Sequence, residues 1–191
     1  MKAALLTAIF LLLLGCMSSK SFVDPSYAKA SYDDITPVAS KYPVALDVRY
    51  KKHGEPFAQG NRQARSLVES TLWTTGVFDF SGNPAGASLK VVINNFTKSL
   101  GTTAQGASTS LSLGALGSNV TDYYEFSINY VDSAGTRSRT EYKHALHTTV
   151  GKRKAPVEHV SPTTSALGFA TIVEQVMLNF VKDMQDQGLL P

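Results

Sequence analysis

The sequence predicts an α/β fold of the α+β kind: a two-layer sandwich in which a mixed four-stranded sheet carries two helices on one face. Three observations predict it. Four segments alternate apolar and polar residues with the period of a half-buried strand, two carry apolar residues at helical spacing, and glycines stand where the helices and a hairpin must turn. The order strand, helix, strand, strand, strand, helix packs most economically as one sheet covered by both helices.

The first strand is read from Val44, Leu46, Val48 and Tyr50, which alternate with Ala45, Asp47 and Arg49. A helix follows, with Asn61 as its expected cap, apolar positions at Ala64, Leu67, Val68, Leu72 and Thr75, and Gly76 placed to stop it. Val77, Phe78 and Phe80 lead out of it, and Leu89 to Phe96 reads as the second strand. A strand, helix, strand unit favours parallel pairing through a right-handed crossover. Tyr124, Phe126, Ile128 and Tyr130 mark the third strand, Asp132-Ser133-Ala134-Gly135 a turn, and Thr136 to Val150 the fourth strand. If Asp132 faces Thr136, then Phe126 faces Tyr142, Tyr124 faces His144 and Glu125 faces Lys143. Both faces of the hairpin are then chemically consistent. The last helix is expected from about Thr164 to Gln187. Phe169, Ile172, Val173, Val176, Met177, Phe180, Val181 and Met184 form its apolar stripe, and Gly188 ends it.

A chain of 191 residues suggests one folded domain. A net charge of +3 is too small to suggest nucleic-acid binding. With Cys16 as the sole cysteine, neither an internal disulfide nor a thiolate metal cluster can be assembled. Met1 to Gly15 has an early cation, Lys2, and an apolar run from Ala3 to Leu14, the layout of a secretory leader. The run is shorter than the about 20 apolar residues that a spanning helix requires. From Ser18 to about Tyr42 the chain is polar, with prolines at Pro25 and Pro37 and no sustained apolar period. That stretch reads as a flexible spacer with a reach of about 25 to 30 Å. The expected division is a leader over 1–15, an anchor and spacer over 16–42, and a single domain over 43–191.

Leu13-Leu14-Gly15-Cys16 resembles the lipobox of bacterial lipoproteins, in which a small residue precedes a cysteine that is diacylated and becomes residue one of the mature chain. The resemblance implies cleavage before Cys16, lipidation of that cysteine and a membrane anchor of two or three acyl chains, each methylene adding about 0.8 kcal/mol. Met17 is not the aspartate that resembles an inner-membrane retention signal, which implies the periplasmic side of an outer membrane. From Val44 to Gln187 the order of elements, the Thr-Gly-Val-Phe after the first helix and the Val-Asp-Ser-Ala-Gly-Thr hairpin look like small α/β envelope lipoproteins. Some of these are uncharacterised, and others are accessory to polysaccharide or lipopolysaccharide export.

The residues themselves offer no catalytic set. The only cysteine is the expected lipid site, and no Gly-x-Ser-x-Gly elbow is present. His144 and His147 lie three apart on a strand and point to opposite faces, so they cannot chelate one metal; His53 and His159 fall in loops. Asp33 and Asp34 read as a solvated turn. Trp73 reads as core or interface filler. Two features suggest contacts. Ser99 to Thr121 is an uncharged Gly, Ser and Thr-rich loop whose Leu111, Leu113 and Leu116 could touch a membrane or a neighbouring subunit. Arg137, Arg139 and Lys143 share the outer face of the fourth strand, and Lys152, Arg153 and Lys154 follow, a concentration of cations suited to an anionic ligand. No cofactor or metal is expected. The leading expectation is a non-enzymatic accessory lipoprotein docked on an envelope assembly or export complex, with self-association a further option. The alternative is a binding module for anionic glycolipid or polysaccharide.

Overall fold

The computed structural model describes residues 19–82, 84, 86–100, 118–151 and 154–190. In chain order the elements are β1 (Ser19–Val23), a 3-10 turn (Tyr32–Asp34), β2 (Tyr42–Pro43), β3 (Ala45–Lys52), β4 (Glu55–Pro56), α1 (Ala58–Thr74), β5 (Phe78–Asp79), β6 (Ser88–Leu100), β7 (Ser118–Val131), β8 (Arg137–Val150) and α2 (Ser165–Asp186). The main sheet has six strands in the order β1-β8-β7-β6-β3-β4, and β2 and β5 form a separate parallel pair. The four expected strands are its centre. The expected count fell short because β1 is a five-residue strand in a polar stretch and β4 only a two-residue return from β3.

β3 and β6 pair in parallel across α1, while β6, β7 and β8 are antiparallel. The hairpin register is the one its two faces require: Phe126 opposes Tyr142, Tyr124 opposes His144 and Glu125 opposes Lys143. Asp132 closes the turn, its amide donating to Thr136 O at 3.0 Å. Both β6 and β7 extend into the stretch expected as a loop, so Ser99, Leu100 and Ser118 to Thr121 are strand residues.

One hydrophobic core lies between the sheet and the helices. Val48, Leu89, Val91, Ile93, Phe126, Ile128 and Leu146 meet Ala64, Val68 and Leu72 of α1 and Ile172, Val176, Met177 and Phe180 of α2. α1 begins one turn before the expected cap: Phe57 precedes it, and Asn61 instead accepts the Tyr50 amide at 2.7 Å, tying the first turn to β3. Gly60 permits that approach, since a Cβ there would lie 2.7 Å from the Tyr50 ring. Gly76, at φ 75°, ends α1 as expected. Thr164 caps α2 by accepting the Leu167 amide at 3.2 Å.

The segment expected as a flexible spacer is, from Ser19 onward, part of the fold. β1 pairs along its whole length with β8, and the Ser21 amide and carbonyl bond Thr163 on its other edge at 2.9 and 2.8 Å. The chain then crosses onto α2. Asn179 accepts the Ala30 amide at 2.7 Å and donates to Ala28 O at 2.8 Å, and Gln185 does the same for Thr36 at 3.0 and 2.7 Å. These two amides mimic a strand partner for backbone that has none. Asp33 and Asp34 sit in the 3-10 turn, where Asp34 accepts the Ser31 amide and hydroxyl.

Candidate functional site

The outer face of the sheet, opposite the helices, carries Asp47, Arg49 and Lys51 of β3, Lys90 of β6, Glu125 of β7, and Arg137, Arg139, Glu141 and Lys143 of β8. Cations outnumber carboxylates there, and half of them are already paired: Arg139 with Glu141 at 2.8 Å, Lys143 with Glu125 at 3.5 Å and Arg49 with Asp47 at 3.0 Å. All these pairs are exposed, so each adds little stability and leaves its cation able to exchange partners. The expected continuous basic patch is divided. β8 has 14 residues, which at about 3.4 Å per residue separate Arg137 by roughly 40 Å from Val150, the strand end that leads on to Lys154. Lys152 and Arg153, and likewise Cys16, Leu111, Leu113 and Leu116, lie outside the described residues.

The two strand histidines point to opposite faces, as the spacing requires, and each is fully engaged. His147 Nδ1 meets the Thr121 hydroxyl at 3.0 Å and its Nε2 meets Asp24 at 3.1 Å. Burial works against the Asp24 charge, but hydrogen bonds from the Ser26 hydroxyl and amide and from His147 outweigh it and hold the carboxyl below its usual range. The sequence separation of Asp24, Thr121 and His147 hid this constellation. It has the members of a hydroxyl, histidine and carboxylate triad but the opposite wiring, because a triad histidine presents Nε2 to the nucleophile and Nδ1 to the carboxylate. The Thr121 hydroxyl is also buried, away from any substrate. The arrangement clasps the chain after β1 to β8 and β7.

His144, on the inner face, is buried and stacks on Tyr27 with ring centroids 4.7 Å apart. Its Nε2 lies 2.8 Å from Gln175 Oε1, and its Nδ1 accepts the Ala145 amide at 2.9 Å, which makes the neutral Nε2-protonated form the one that fits. Burial pushes its pKa below 6.5, against the opposing effect of the Gln175 bond. The unfolded chain therefore binds this proton more readily than the folded one. Stability should be full above pH 6.5 and fall as the pH drops below it. Denaturant midpoints measured from about pH 7.5 down to about pH 5 should decline less in His144→Gln than in the parent; parallel curves would refute the assignment.

Beside this stack lies a cleft of about 440 Å³ lined by Tyr27, Phe96, Tyr123, Tyr124, Glu125, Lys143 and His144. It places the expected ligand residue Lys143 among aromatic rings, several of them part-exposed. Strand spacing alone could not reveal it, since Tyr27 arrives from the presumed spacer.

On the far side of the molecule α1 exposes Trp73, 49% accessible, with the Lys41 ammonium 3.9 Å above its ring. A groove of about 540 Å³ runs along this face between Trp73 and Arg62, floored by Ser66 and Ser70. Arg65 is paired there with Glu69 at 3.4 Å. Trp73 is thus not core, leaving the interface half of its expected role.

Among the described residues no three His, Cys, Asp or Glu side chains are placed to hold a metal ion, and no helix is long and apolar enough to cross a membrane. No family model matches the chain, and no curated protein matches it in sequence. Among solved structures it is similar to a minor lipoprotein from Acinetobacter baumannii, at 10% identity and a TM-score of 0.39, over 77% of this chain and 95% of that one. It is also similar to rare lipoprotein B from Shewanella oneidensis, at 10% identity and a TM-score of 0.30, over 75% of this chain and 92% of that one.

Proposed function

We propose that the chain is a bacterial envelope lipoprotein, held on the periplasmic side of the outer membrane by acyl chains on Cys16, and that it works without catalysis by docking on a protein assembly of the envelope. The observation that carries the docking role is Trp73. Half of a tryptophan left in water on a helix, at one end of a groove that Arg62 closes at the other, is the residue chemistry that dominates protein interfaces. Arg62 and Lys41 favour a partner whose surface is acidic around an apolar centre. A photoreactive residue replacing Ser70 should give a discrete, sequence-identified adduct in native membranes, weakened several-fold by Trp73→Ala, while the same probe at Ala134 should not. Monomer alone from the Ser70 probe would reject the docking role.

A second reading is favoured by the aromatic cleft. Tyr27, Phe96 and Tyr123 offer rings on which sugars stack, and Lys143 supplies a cation for an acidic saccharide. In this reading the protein binds an anionic glycolipid or polysaccharide. Titration with an acidic polysaccharide should show salt-sensitive binding that Lys143→Ala weakens and Arg137→Ala leaves nearly intact. Equal effects of the two would remove the cleft from consideration.

A further inference from the structure

We propose that the end of the sheet around Ser19, together with the first turn of α2, lies directly on the bilayer and takes its anionic headgroups, so that the domain stands upright on its strands with the β7-β8 turn pointing away. This deepens the lipoprotein reading and rests on it. Cys16 is three residues before Ser19, and a fully extended chain covers at most about 3.6 Å per residue, so an acylated Cys16 holds Ser19 within about 11 Å of its own position. Because Ser19 is already paired with Val150, the flexible reach of a long spacer is absent and the sheet end must follow the anchor.

The chemistry at that end suits a lipid surface. The β1 register puts Ser19 opposite Val150, and Val150 opposes Ser118 on its other side, so β1, β7 and β8 all reach this edge. Two residues in, Ser21 Oγ lies 2.9 Å from Ser165 Oγ, which brings the N-terminal turn of α2 to the same end. In that turn Leu167 is 62% exposed, an apolar side chain left largely open by the described residues. Lys20, next to Ser19 in the chain, and Lys154, four residues beyond Val150, are both exposed. Each cation close to an anionic surface contributes about 1 kcal/mol of attraction. An exposed apolar side chain and exposed lysines at the sheet end that the anchor holds fit the headgroup boundary better than they fit water.

The acylated full-length mature protein, reconstituted into vesicles of phosphatidylethanolamine and phosphatidylglycerol, tests this. With Cys16 blocked by its lipid, Leu167→Cys and Ala134→Cys each give a single labelling site for a fluorophore. Quenching by a lipid spin-labelled at its headgroup should be at least several-fold stronger at 167 than at 134, and Lys20→Glu with Lys154→Glu should reduce it. Similar quenching at both positions, or no effect of the charge reversals, would overturn the proposal while flotation of the protein with the vesicles would leave the anchor reading standing. If the protein fails to float and behaves like Cys16→Ser, the anchor reading falls and the orientation with it.

Discussion

Ser21→Pro should cost about 3 kcal/mol of folding stability and lower the melting temperature by roughly 6 to 12 °C. The segment is polar and near the start of the folded chain, which alone would suggest tolerance. In the structure the Ser21 amide donates to Thr163 O at 2.9 Å, and its hydroxyl sits 2.9 Å from both Thr148 and Ser165. Proline removes the amide hydrogen and the hydroxyl together, leaving a carbonyl and two hydroxyls short of a partner where little water enters, since Ser21 is 1% exposed. Ser21→Ala keeps the amide and should lose only about 1 kcal/mol. Urea titrations of the mature chain would measure both. A proline variant as stable as the parent would mean that β1 is an appendage and not a strand of the sheet.

That prediction also marks where the sequence stopped being legible. Periodicity located β3, β6, β7, β8 and both helices because each buries one continuous face, and burial is what writes a period into a sequence. β1 escaped because only Phe22 and Val23 of its five residues are apolar, and its pairing is satisfied by backbone and hydroxyl bonds that carry no hydrophobic signature. The crossing to α2 escaped for a related reason: its backbone is held by the side-chain amides of Asn179 and Gln185, about 150 positions away. Asn61 misled as a cap because the same side chain that could close a helix can accept a strand amide, and the latter is what Tyr50 offers. The basic residues were legible as residues and as a face. Their spatial grouping was not, because the whole length of β8 separates Arg137 from the strand end that leads on to Lys154.

The candidate sites follow from these same omissions. The aromatic cleft needs Tyr27, the clasp needs Asp24, and the proposed membrane edge needs Ser19 to be paired; all three residues belong to the stretch first read as a tether. In the proposed arrangement an anchor followed at once by an edge strand would make lipidation a means of orientation as well as of localisation. The outer sheet face and the α1 groove would then point sideways, toward laterally arranged envelope partners.

Phe126→Ala should be the most damaging of the single changes considered, at about 3 to 5 kcal/mol, while Ser127→Ala beside it should shift stability by no more than about 0.5 kcal/mol. Phe126 is 1% exposed at the centre of the sheet, opposite Tyr142 on β8 and Ile93 on β6, so its removal empties a space that strands on both sides and a helical layer above cannot close. Ser127 points to the charged outer face, between Val92 and Glu141. The contrast tests register as well as packing. A slip of one residue in the β7-β8 ladder would exchange the two faces, bury Ser127 and expose Phe126, and so reverse the order of the two effects. It would also separate Glu125 from Lys143. Chemical denaturation of the two variants, with unchanged m-values as the sign that the unfolded state is the same, decides between the two registers. If Ser127→Ala proved the costlier change, the hairpin and the cleft built on Lys143 would both have to be redrawn.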